Sequence, residues 1–139
     1  MPSNEQLALD LFGEALISKV RDTQIQLWDK TLAGTVNHRN YKQVHTKLSE
    51  LFNAEQLSTL ENLIPWIVDN TIADILGMLQ EKHREIDIII RVNGEVAQSL
   101  YAVSDLLNSE LWGEDGWIAR FSKQRPTDEK YFAEDTSSK

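Results

Sequence analysis

Between Asn53 and about Lys82 a stripe repeats at steps of three and four residues: Leu57, Leu60, Ile64, Ile67, Thr71, Ile75 and Met78. Val68, Ile72, Leu76 and Leu79 broaden it. That period places one wide apolar face on a long helix. Asn53 can accept the amide three residues on, and Gln56 can reach back, which is the signature of a capped helix start. A stripe this wide demands cover from other helices, so the chain is expected to fold as a helical bundle around it. Pro65 lies within the pattern but beside Glu61, Asn62 and Asp69. It is expected on the outer side of a curved helix, with a break near Ile64 as the alternative.

A second helical pattern precedes it. Leu9, Phe12, Leu16, Val20 and Leu27 line one face from Ser3 to Ala33, with Ile17, Ile25, Trp28 and Leu32 beside them. Ser3 and Gln6 resemble a capping box, and Gly34 suits a left-handed stop. Gly13 lowers the local propensity without breaking the period. From Asn40, Tyr41, Val44, Leu48, Leu51 and Phe52 mark a shorter helix that meets the central one at a sharp corner near Asn53.

The character changes after Glu85. Ile86-Asp87-Ile88-Ile89-Ile90-Arg91-Val92 is rich in β-branched residues, and Asn93-Gly94 is the preferred pair for a tight hairpin turn. A hairpin over about 86–97 followed by a helix from about Ser104 is the favoured continuation. A helix starting after Asn93, through Val96, Leu100, Val103, Leu107 and Leu111, competes with it. Asp115 is expected to cap a last short helix bearing Trp117, Ile118 and Phe121, which Pro126 stops. The fold expected is therefore mainly α: four or five helices and one small hairpin in the second half, with an all-α bundle as the alternative. Residues 1–125 form a single domain in this reading, and 126–139 a mobile tail.

The length of 139 residues and an apolar fraction of 41% suffice for one packed core. The formal charge of −8 disfavours nucleic acid and anionic membrane surfaces, both of which need a basic face. The chain has no cysteine, so disulfides, thiolate catalysis and cysteine-ligated metals are excluded. The N-terminal residues lack the flank and apolar run of a signal peptide, and no stretch is apolar enough to span a bilayer. A soluble cytoplasmic protein is the expectation.

No catalytic motif is present. There is no serine elbow, phosphate loop or dinucleotide fingerprint. His38, His45 and His83 are the residues a helical metal site would draw on, but none stands in a recognised ligand motif, so no metal or cofactor is expected. Glu110, Glu114 and Asp115 lack the alternating oxygen ligands of a calcium loop. Trp112 and Trp117 flank the turn at Glu114-Asp115; core packing is the ordinary role of such residues, and a recognition surface the sharper one. Ile89 lies on an isoleucine-rich strand that must be covered or paired.

These features favour a non-enzymatic acidic module that binds a protein partner, such as an inhibitor or immunity-type protein masking a basic partner. Trp112, Glu114, Asp115, Trp117 and Ile89 are its expected contact residues. A small helical metal-dependent enzyme and a self-associating subunit, such as a homodimer, are the alternatives.

Overall fold

The computed structural model describes residues 2–133. Five helical segments and one two-stranded antiparallel hairpin make up the described residues, which is the mainly α architecture with a small second-half hairpin that the sequence predicts. The first helical segment is not regular. Helix α1 (Asn4–Leu16) passes through a π-helical turn (Ile17–Arg21) into α2 (Asp22–Ala33). The extra residue of a π turn rotates everything after it by about 100° relative to an unbroken helix. Ile17 stays in the core, whereas Val20, expected on the inner stripe, faces solvent and Arg21 turns fully inward.

Local chemistry sets the ends. The Ser3 hydroxyl accepts the Gln6 amide at 3.1 Å. Gln6 does not close the capping box, because its side chain donates to Asp10 instead. Gly34 ends α2 with φ +78°, as a left-handed stop requires. Helix α3 (Arg39–Leu51) is capped by His38, whose Nδ1 accepts the Asn40 amide. Helix α4 (Ala54–Glu81) carries the full Asn53/Gln56 capping box and runs unbroken through Pro65.

The roll of α4 reverses one expectation. Pro65 and Asp69 are buried, together with Ile72, Leu76 and Leu79. Pro65 therefore sits on the inner side, not the outer. Ile67, Ile75 and Met78, the centre of the predicted core stripe, are exposed.

Strands β1 (Ile89–Val92) and β2 (Val96–Ser99) pair in the register Ile89 with Ser99 and Val92 with Val96. Asn93 and Gly94 both have positive φ, and the Glu95 amide donates to the Val92 carbonyl at 3.3 Å, closing the turn. Period-two alternation turns Ile90 and Val92 onto α1 and leaves Ile89 outside. The predicted helix from Ser104 does not form. Ser99 instead caps a single turn, α5 (Leu100–Val103), by accepting the Ala102 amide. Ser104 is extended, and a 3₁₀ turn follows at Leu107–Leu111. Helix α6 (Trp117–Phe121) closes the core.

That core joins Leu9 and Ile17 with Ile72 and Leu76 of α4, Ile90 of the hairpin and Trp117. Trp117 packs edge-on to Phe12 with ring centroids 5.7 Å apart. A Cβ at Gly13 would overlap the Trp117 indole, so this glycine is required by packing against α6. Helix propensity alone favours Gly13→Ala by about 1 kcal/mol, whereas overpacking a rigid core contact costs about 1–3 kcal/mol. Gly13→Ala is expected to lower the urea midpoint of unfolding, and adding Trp117→Phe to recover part of the loss. A raised midpoint in the single variant would show that the contact yields.

Candidate functional site

Because α4 turns Pro65 and Asp69 inward, the opposite side of its stripe meets α2 along an open seam. The result is a groove of about 510 Å³ between α2 and α4, with α3 at its margin. Trp28 and Leu32 of α2 form one wall, Ile64 and Ile67 of α4 the other, and Leu48 of α3 contributes to the edge. The π turn adds Val20. Only Gln24 and Thr71 bring polar side chains to the lining, and neither has acid–base chemistry near neutral pH. Ile67 is 57% exposed and Ile75 47%. Monomeric proteins seldom expose a contiguous apolar surface of this kind.

The charges around it are segregated. Helix α4 contains Glu55, Glu61, Asp69, Asp74 and Glu81 and no lysine or arginine. Asp74 and Glu81 follow Ile67 at seven-residue intervals and so share its face. Helix α3 has the opposite balance, with Arg39, Lys42 and Lys47 against Glu50, but these four line a separate concavity on α3 and none of them lines the groove. Among the described residues, the only ion-paired one of these is Asp69.

Asp69 belongs to a buried polar cluster on the side of α4 away from the groove. The buried Arg21 guanidinium donates to both Asp69 carboxylate oxygens, at 2.6 and 3.2 Å. It also donates to the Ser122 hydroxyl at 2.9 Å and the Arg125 carbonyl at 3.1 Å. Asp22 accepts the Ser122 hydroxyl and the Lys123 amide, each at 2.7 Å, while Thr127 donates to Asp69 at 2.6 Å. Arg125 pairs with Asp29. These bonds tie α2 and α4 to the segment after α6. The expected tail starts at 126; over 126–133 the Trp66 indole donates to the Asp128 carbonyl and Phe132 lies edge-on to Trp66. Residues 134–139 lie outside the described part.

The contact residues expected from sequence are not assembled into one surface patch. Trp117 is 1% exposed and belongs to the core, so it cannot serve as a surface anchor, whereas Trp112 is 47% exposed. Glu114 and Asp115 are exposed on the same turn. Asp115 does not cap α6: Gly116 holds the cap position, where a Cβ would overlap the Trp112 carbonyl. Ile89 is exposed on the outer face of the hairpin. Beside this turn, Arg120 pairs with Asp10 at 2.9 Å, and that hydrogen bond holds the Asp10 carboxyl below its usual range.

The histidines have separate surroundings. His38 caps α3, His45 Nδ1 lies 3.1 Å from the Leu32 carbonyl, and His83 stacks on Tyr101 at 3.8 Å. Among the described residues, no three histidine, aspartate or glutamate side chains are grouped to hold a metal. No described helix is long and apolar enough to cross a membrane. Sequence reasoning missed the groove because it assigned its lining to the core. The signal was present in the width of the α4 stripe, which exceeds what one packing face can bury.

No protein-family model matches the chain, and neither curated proteins nor solved structures give a significant match.

Removing one member of a buried ion pair strands the other, at a cost of about 3–5 kcal/mol. Asp69→Ala is therefore expected to destabilise the fold by about that amount in urea unfolding. The double variant Arg21→Met/Asp69→Leu should cost less than the single, since the two charges leave together and Asp22, which loses Arg21, keeps its bonds from the Ser122 hydroxyl and the Lys123 amide. A single-variant loss near zero would remove the pair from its structural role.

Proposed function

We propose that this chain is a non-enzymatic, cytoplasmic protein-binding module that receives an amphipathic helix of a basic partner in the groove between α2 and α4. The observation that carries the proposal is the exposed apolar strip of α4 around Ile67 and Ile75, on a helix whose charges are all acidic. A helix docks in such a groove through side chains at i, i+3, i+4 and i+7, gaining apolar burial. Lysines or arginines flanking that stripe would meet Asp74 and Glu81. Charge of this kind accelerates encounter and selects partners, and salt weakens it. An inhibitor or immunity-type protein masking a basic partner is the concrete form of this function.

The buried charged groups have work other than catalysis in this account. Arg21, Asp22 and Asp69 are occupied by one another and by the segment after α6.

The test is calorimetric titration with two designed helical peptides that share one leucine stripe, one flanked by lysines and one by glutamates. The basic peptide is expected to bind about tenfold or more tightly than the acidic one, a difference of about 1.4 kcal/mol or more. Added salt should narrow the gap, and Ile67→Glu should abolish binding. Equal affinity for both peptides, or binding to neither, would contradict the proposal.

A further inference from the structure

Helix α4 runs unbroken through Pro65, a residue with no amide to donate. The carbonyl four residues earlier, that of Glu61, therefore loses its partner within the helix, and the proline ring presses against it. The Arg125 guanidinium supplies the missing bond by donating to the Glu61 carbonyl. The same guanidinium grips α2, where it donates to both carboxylate oxygens of Asp29. A single side chain from the segment after α6 thus joins the two helices that wall the groove.

We infer that Arg125 is the positioning residue of the groove: it replaces the bond that Pro65 denies to α4 and thereby holds α2 and α4 at their spacing. The inference rests on the reading of the groove as a binding site and names a residue outside the lining on which that site depends. Arg125 does not itself line the groove, but its anchors adjoin residues that do. Asp29 follows Trp28, and Glu61 lies between Leu60 and Ile64. Each helical segment moves as a rigid element, so a shift at either anchor is passed to the wall beside it.

The placement of this tie matters as much as its existence. Arg21 already joins the two helices through Asp22 and Asp69. Asp29 lies two turns beyond Asp22 on α2, and Glu61 two turns before Asp69 on α4, so the second tie is about 11 Å from the first. Helices joined at one point can pivot about it; a second point along their length fixes the angle between them. The guanidinium suits this task, because its donors lie in one rigid plane and fix Asp29 relative to the Glu61 carbonyl. Its own position is set from the interior, since the Arg125 carbonyl accepts from Arg21 at 3.1 Å and Thr127 donates to Asp69.

A double-mutant cycle in urea unfolding tests the first half of the inference. Pro65→Ala gives α4 its own amide for the Glu61 carbonyl and makes part of what Arg125 supplies redundant. Arg125→Met is expected to raise the unfolding constant about tenfold in the wild-type background. In the Pro65→Ala background the rise should be smaller by about threefold or more, as for groups that share one partner. The cavity left by Pro65→Ala is present in both arms and cancels.

The spacing is read by pulsed electron spin resonance between labels on Lys30→Cys and Ser58→Cys, two exposed positions in a chain without cysteine. Arg125→Met should broaden the distance distribution. Lys123→Met, which removes the same charge from an exposed neighbour, should leave it unchanged. Arg125→Met should also weaken binding of the lysine-flanked peptide severalfold, although its greater negative charge favours that peptide. Circular dichroism checks that the helix content is kept. If Arg125→Met does not fold, Arg125→Lys, which keeps the charge and loses the planar fork, gives the same readings at smaller amplitude.

Additive losses in the cycle would overturn the inference, as would a distance distribution or a peptide affinity that Arg125→Met leaves unaltered. If the wild type binds neither peptide, the protein-binding reading falls, while the cycle and the distances still decide whether Arg125 sets the spacing.

Discussion

The contact between Arg21 and Asp69 governs how the two long helical segments face one another. Neither charge can be buried alone, since an ion removed from water without a partner costs several kcal/mol. Here the cost is offset by geometry. Asp69 receives two bonds from Arg21 and one from Thr127, while Arg21 also reaches Ser122 and the Arg125 carbonyl. Every described buried side-chain nitrogen and oxygen has a partner. The pair brings Asp69 inward on α4 and Arg21 inward after the π turn, and it recruits the segment after α6 to both.

Turning Asp69 inward has a consequence on the other side of α4. The apolar stripe spans more than one face, so only Ile72, Leu76, Leu79 and their neighbours reach the core. Ile67, Ile75 and Met78 are left to solvent. A helix with no basic residue then presents an apolar face on which Asp74 and Glu81 stand in line with Ile67. The proposed binding role follows from that roll, and a different rotation of α4 would remove the groove.

Much of the fold was legible where one residue type has one local use. Asn53 and Gln56 marked the start of α4, Gly34 the end of α2, and Asn93-Gly94 the hairpin turn, because capping and positive φ leave few alternatives. The groove was not legible in the same way. Periodicity reports that Ile67 and Ile72 are both apolar, but which of them is buried depends on a long-range partner, Arg21, forty-eight residues from Asp69. The π turn that swings Arg21 inward has no short sequence signature, so Val20 was assigned to the wrong side. Helix α5 and the 3₁₀ turn were blurred by a repeat at Val96, Leu100, Val103 and Leu107 that a short strand and two short turns also satisfy. Of the expected contact residues, Trp117 was claimed by the core through its fit over Gly13, a neighbour more than a hundred residues away.

The absence of cysteine makes the central claim, the roll of α4, directly measurable with single introduced cysteines. Ile67→Cys and Ile72→Cys would be labelled with a maleimide under native conditions. The account predicts rapid modification at position 67 and protection at position 72, with both equally reactive in denaturant. Faster labelling at 72 than at 67 would contradict it, because the stripe would then face inward and there would be no groove to fill.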